Sequence, residues 1–149
     1  MEQMKGGDHV QIQIDPVSAA PIYQQIRDRV VEAVAAGDLT PGDQLASVRQ
    51  LAVDFGINVA TVAKAYDVLR NEGIIRTNHK SGSVIARGPG TAPADDAFVA
   101  DWSARLATLL AEAVAQGLTD AAIIERSTAI VDDFSARRST SDTAKDSPS

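Results

Sequence analysis

The sequence predicts a mostly α fold with a small β element, and three observations carry that prediction. "SVRQLAVDFG" and "NVATVAKAYDVLRNEG" are short amphipathic segments joined through Gly56. "IIRTN" and "SVIARG" follow directly as two β-rich runs around "HKSG". Beyond a Gly/Pro-rich stretch, apolar residues at helical spacing resume from Phe98 and again after Thr119. Two helices joined by a Gly turn and followed by a hairpin form a winged helix-turn-helix. Two amphipathic helices behind it form a short helical hairpin.

Taken in order, "VQIQID" alternates Val10, Ile12 and Ile14 with polar residues, a short strand. In "PIYQQIRDRVVEAVAAG", Ile22, Ile26, Val30 and Val34 recur every four residues; Pro21 suits the first helical turn and Gly37 the stop. "DLTPGDQL" is a turn around Pro41-Gly42. Ser47 then caps a helix whose apolar stripe is Val48, Leu51, Ala52 and Phe55, closed by Gly56. Asn58 caps the next, with Val62, Ala65, Tyr66 and Leu69 facing inward and Gly73 as the stop. The expected organisation is a winged helix-turn-helix over 1–87, a linker over 88–97 ("GPGTAPADDA"), a helical unit over 98–138 and a disordered tail over 139–149 ("STSDTAKDSPS").

Composition narrows the function classes. The 149 residues allow one compact domain and a smaller appendage, and 44% hydrophobic residues allow a real core. The absence of cysteine removes disulfides, thiolate metal sites and thiol nucleophiles. The polar N-terminus lacks an apolar signal-peptide region and no apolar run approaches the roughly 20 residues of a membrane span. A cytoplasmic protein without membrane contact is therefore expected. The net charge of −6 is unevenly placed. Residues 1–90 hold 9 Lys/Arg against 10 Asp/Glu, whereas residues 91–149 hold 5 against 10. Ser47–Arg87 holds six basic residues (Arg49, Lys64, Arg70, Arg76, Lys80, Arg87) against three acidic ones, so an acidic chain carries one basic module.

"PIYQQI", "GDLTPGDQLASVRQLAVDFGINVATVAKAYDVLRNEGII" and "HKSGSVIARG" together resemble the N-terminal winged helix of GntR-family transcriptional regulators, over about Pro21 to Arg87. "PIYQQI" and "TVAKAYDVLRNEG" are similar to the YtrA-type subfamily, whose C-terminal part is a short pair of helices. The resemblance implies a homodimeric repressor on a double-stranded DNA operator, with the helical hairpin as the dimerisation unit. Four residues at three places depart from the family pattern. Ala46 replaces the usual Pro before Ser47, Val59-Ala60 replace Pro-Asn at the start of the recognition helix, and Lys80 replaces the first Gly of the wing.

In that setting Arg49, one turn into its helix, is placed to reach a phosphate or a guanine edge, and Ser47 to cap and offer its hydroxyl. Asn58, Thr61 and Lys64, three residues apart, share the start of the recognition helix. Val59 and Ala60 can read a thymine methyl through apolar contact. His79, Lys80 and Gly82 form a wing that can bring a cation to the minor groove, with Arg76 beside it at the backbone. Phe98, Trp102, Leu106, Leu109, Leu110, Ile123, Ile130 and Phe134 are the expected dimer contacts. Trp102 is read as the plug of that interface, because two short helices enclose little volume. Asp95-Asp96 and Asp132-Asp133 point about 100° apart on a helix and lack an accompanying His, so they are read as capping or solvated acids. His9 has no partner in its polar surroundings.

No cofactor is implied. The chain lacks a Gly-x-Ser-x-Gly elbow, a phosphate-binding Gly-rich loop and a metal-spaced His set, which argues against an enzyme. The alternative is a winged helix that binds only protein; DNA binding is set apart from it by a steep salt dependence. A small-molecule effector, if one exists, must change the relative position of two winged helices.

Overall fold

The computed structural model describes residues 2–3 and 12–146. The elements run β1 (Glu2–Gln3), β2 (Gln13–Ile14), α1 (Ile22–Ala35), α2 (Val48–Phe55), α3 (Val59–Asn71), β3 (Ile75–Asn78), β4 (Gly82–Ile85), α4 (Asp96–Ala115) and α5 (Asp120–Lys145). Strands β1 and β2 pair antiparallel through Glu2↔Ile14 and Gln3↔Gln13. Val10 and His9 lie outside the described residues.

Helices α1, α2 and α3 close around one core because each carries its apolar side chains on a single stripe. Ile26 and Val30 of α1, Leu51 of α2, and Val62 and Leu69 of α3 are fully buried together with Ile75 and Ile85 of the two wing strands. Gly56 makes the α2–α3 turn: its φ of +63° lets the Ile57 N–H return to the Ala52 carbonyl at 3.0 Å, a conformation costly for any residue with a Cβ. Among the described residues Gln25 is the one polar residue buried in this core. Its side chain accepts from the Asp15 N–H at 2.8 Å and donates to the Asp15 and Ala20 carbonyls, both at 2.9 Å, tying the N-terminal segment onto α1.

The wing is more than a hairpin. Strands β3 and β4 pair antiparallel from Ile75↔Ile85 to Asn78↔Gly82. The end of the Pro41-Gly42 turn then adds to β4: Leu45 N–H bonds the Ser83 carbonyl and Ile85 N–H the Asp43 carbonyl, each at 2.8 Å. The segment read as a plain turn thus anchors the wing to the helices.

Two features of the C-terminal half differ from the sequence reading. The stretch expected as a linker is a loop that its own hydrogen bonds order: Arg87 Nη2 donates to the Ala92 and Pro93 carbonyls at 2.7 and 2.8 Å, and Thr91 Oγ1 to the Gly88 carbonyl at 2.6 Å. Asp95 ends the loop by capping α4, accepting from the Phe98 N–H at 2.7 Å, so the helix starts two residues earlier than expected. The larger correction concerns 139–145, expected as disordered tail, which continues α5 to Lys145. Its composition is too polar to order itself, but contacts to the first module hold it. Arg137 pairs with Asp38 at 3.1 Å, Arg138 Nη1 donates to the Ala35 carbonyl at 2.8 Å, and Lys145 donates to Thr40 Oγ1 at 2.9 Å. Gly37 permits this approach: a Cβ there would sit 3.1 Å from the Arg138 Cα.

No residue of α4 or α5 is buried. Leu106, Leu110, Ile123 and Phe134 are half-buried, whereas Phe98, Trp102, Leu109 and Ile130 are 46–61% exposed. Among the described residues no helix is long and apolar enough to cross a membrane.

Candidate nucleic-acid interface

The outward surface of the winged helix is built by local capping. Ser47 Oγ accepts from the Gln50 N–H at 3.1 Å and starts α2, whose second residue is Arg49. Asn58 Oδ1 accepts from the Ala60 N–H at 2.7 Å and starts α3. This cap uses the side-chain oxygen of Asn58 and leaves its amide hydrogens as the donors that remain.

With 3.6 residues per turn, burial of Val62, Ala65, Tyr66 and Leu69 turns Ala60, Lys64, Asp67 and Asn71 outward, flanked by Val59, Ala63 and Arg70. The exposed start of α3 is therefore small and smooth. Val59, Ala60 and Ala63 contribute methyl groups, and Val59 is half exposed. Thr61, expected on the exposed face, lies half-buried at its flank. Lys64 is exposed, but its ammonium sits 4.0 Å from the centre of the Tyr23 ring of α1, a cation–π contact that fixes where the charge is held.

Besides Lys64, the five other basic residues of Ser47–Arg87 divide into two groups. Arg70 is occupied by Asp67 at 2.6 Å and by Thr77 Oγ1 at 3.1 Å, bracing α3 against β3, and Arg87 is occupied by the linker carbonyls. Arg49, Arg76 and Lys80 are exposed and have no ion-pair or side-chain hydrogen-bond partner among the described residues. Arg76 stands on β3, and His79 and Lys80 at the exposed tip of the wing, where Asn78 Oδ1 accepts from the Lys80 N–H at 2.9 Å. Gly82 opens β4 immediately after that tip. Cations without a partner among the described residues thus stand on α2 and on the wing, the two elements that flank α3 in the chain.

Sequence reasoning missed the Tyr66 hydroxyl. The ring is core, as its spacing implies, yet its O–H donates to the Ala46 carbonyl at 2.6 Å and so holds the residue that precedes the Ser47 cap. Burial pushes the phenol well above its ordinary value of 10.0. A buried acid kept neutral in the fold binds its proton more tightly folded than unfolded. Its contribution is therefore complete below pH 10 and falls as pH rises beyond it. Tyr66→Phe is expected to lower stability by about 1–2 kcal/mol at pH 7, because the Ala46 carbonyl loses its donor. In thermal melts at pH 9 to 11 the variant is expected to lose less stability than the parent; equal losses would contradict this role.

The model of the family described as "Bacterial regulatory proteins, gntR family" matches residues 22–85, from the first turn of α1 to the end of β4. The HTH-type transcriptional repressor YtrA of Bacillus subtilis is 46% identical over 80 residues, which are 54% of this chain and 62% of the repressor; the chain thus spans under two thirds of that relative. Among solved structures, YtrA from Sulfolobus acidocaldarius, a GntR-family transcription factor, is 38% identical with a TM-score of 0.54, covering 70% of this chain and 97% of that one. A transcriptional antiterminator from Listeria monocytogenes EGD-e superposes with a TM-score of 0.74 at 28% identity, over 82% of this chain and 90% of that one. The match to the Sulfolobus factor covers nearly the whole of that factor. The chain belongs to the gntR family of bacterial regulatory proteins, and within it to the YtrA type.

Proposed function

We propose that this chain is a homodimeric, sequence-specific DNA-binding transcriptional regulator, a repressor, acting in the cytoplasm on a pseudo-palindromic operator. The observation that carries the reading is that Arg49 on α2 and Arg76 and Lys80 on the wing are exposed and without partners among the described residues, three spare cations in an acidic chain. Helix α3 enters the major groove, where Val59 and Ala60 meet thymine methyls and the amide of Asn58 donates to a base edge or a phosphate. Ser47, Arg49 and Lys64 take phosphates, with Arg49 also within reach of a guanine, and Thr61 supports this contact from the flank. The wing lays His79, Lys80 and Gly82 against the adjacent minor groove, with Arg76 at the backbone. Two copies join through the uncovered faces of α4 and α5. Phe98, Trp102, Leu109 and Ile130 form the exposed part of that interface, continuous with half-buried Leu106, Leu110, Ile123 and Phe134. A small-molecule effector that moves the winged helices relative to one another would release the operator.

A salt titration of duplex binding tests the DNA reading against that of a protein-binding winged helix. If the two copies together neutralise about six phosphates, log affinity falls with log salt at a slope near −5. Fluorescence anisotropy between 50 and 200 mM salt is then expected to show a loss of about a thousandfold. A flat response would contradict phosphate contact by this surface.

A further inference from the structure

The joint between the winged helix and the hairpin contains a cavity of about 440 Å³ beneath the ordered linker. Val34 of α1, Ile74 just beyond α3, Pro89 of the linker and Phe98 of α4 give it apolar walls, and Arg87 and Glu72 also line it. Its volume falls within the range of small-molecule sites, which combine apolar walls with a few placed polar groups.

The charged groups at its rim differ in how far their hydrogen-bonding capacity is already used. The Glu72 carboxylate is already taken by Arg27, whose Nη2 lies 2.7 Å and Nε 3.1 Å from its oxygens. The Asp95 carboxylate, also at the rim, faces the N-terminus of α4 and is occupied by the Phe98 N–H. Arg87 is different. Only its Nη2 is used, by the Ala92 and Pro93 carbonyls; Nε and Nη1 have no acceptor among the described residues. No buried side-chain nitrogen or oxygen among those residues lacks a partner, so neither of these two groups is fully buried. The cavity therefore offers apolar walls and one guanidinium with hydrogen-bond donors to spare.

We propose that this cavity binds a small monocarboxylate with an apolar body, of the size and kind of an aryl-substituted acetate, with Arg87 holding the carboxylate. A carboxylate grips a guanidinium through two nitrogens at once, and on this one either pairing along an edge includes Nη2. The ligand thus competes with the Ala92 and Pro93 carbonyls for Nη2 and loosens the loop that leads into α4. Since α4 carries the proposed dimer contacts, loosening its attachment changes how the two winged helices are held and lowers operator affinity. This last consequence rests on the DNA-binding reading; occupation of the cavity does not.

The test is calorimetry on the full chain without DNA, with phenylacetate and its neutral isostere phenylacetamide as probes. Phenylacetate is expected to bind saturably, one per chain, and phenylacetamide at least tenfold more weakly. Arg87→Gln, which keeps a donor for the linker but loses the charge, is expected to weaken phenylacetate binding at least tenfold while leaving phenylacetamide unaffected. Equal binding of the two probes to the parent chain, or no heat from phenylacetate up to about 10 mM, would overturn the proposal whether or not the variant folds. Operator affinity with and without phenylacetate is read separately. If phenylacetate binds and the operator affinity does not change, the coupling to DNA fails and the site stands; if the chain binds no DNA at all, the function reading fails and the site is judged by calorimetry alone.

Discussion

Arg49→Ala is expected to lower operator affinity by at least about thirtyfold without lowering the stability of the winged helix. Arg49 is exposed on the second residue of α2 and has no partner in the fold among the described residues, so its removal orphans nothing. Surface substitutions of that kind usually stay within about 0.5 kcal/mol of the parent. A guanidinium gripping a guanine edge carries about 1–3 kcal/mol of discrimination, and a dimer uses two such groups. The bracing of Arg49 supports an effect of this size: the Ser47 cap and the Tyr66 hydroxyl on Ala46 both fix the end of α2 from which it projects. Titration against single-base operator variants separates its roles. A base contact relaxes preference at one position, whereas a phosphate contact weakens all sequences alike. Unchanged affinity would remove Arg49 from the interface.

The second large effect is expected from Trp102→Glu combined with Leu109→Glu on α4. Both side chains are close to half exposed or more, and Phe98 on the same stripe is also more than half exposed. Charges on this stripe face water in a monomer at little cost but would have to be buried in a dimer. Sedimentation equilibrium is expected to show the parent as a dimer and the double variant as a monomer. Losing the link between two half-site contacts is expected to cost about 10²–10⁴ in operator affinity. A double variant that stays dimeric would place the interface elsewhere, and one that unfolds would show that this face is already packed in the monomer.

Much of the fold was legible because it is written in short-range chemistry. Ser47, Asn58 and Thr119 each start a helix through a side chain that reaches two or three residues ahead, a distance that sequence spacing captures. The apolar stripes of α1 to α3 and the hairpin around His79-Lys80 are local in the same way. What the sequence hid depends on partners far away along the chain. Lys64 meets Tyr23, Tyr66 meets Ala46, and Arg138 meets Ala35 across 103 residues. The misread tail shows why. The composition of 139–145 argues for disorder, and only the anchoring of Arg137, Arg138 and Lys145 on the α1 end and the turn after it supplies what that composition lacks. The linker hides its order for a related reason: Gly and Pro announce a loop, but the side chain that orders it is Arg87, which precedes the loop.

Selection of random duplex DNA on the purified chain bears most directly on DNA recognition by the start of α3. The expected result is a pseudo-palindrome whose half-sites are centred about one helical turn, ~34 Å, apart, with thymines where Val59 and Ala60 meet the groove. No enriched sequence at low salt would contradict sequence-specific recognition by this helix in the unaided protein.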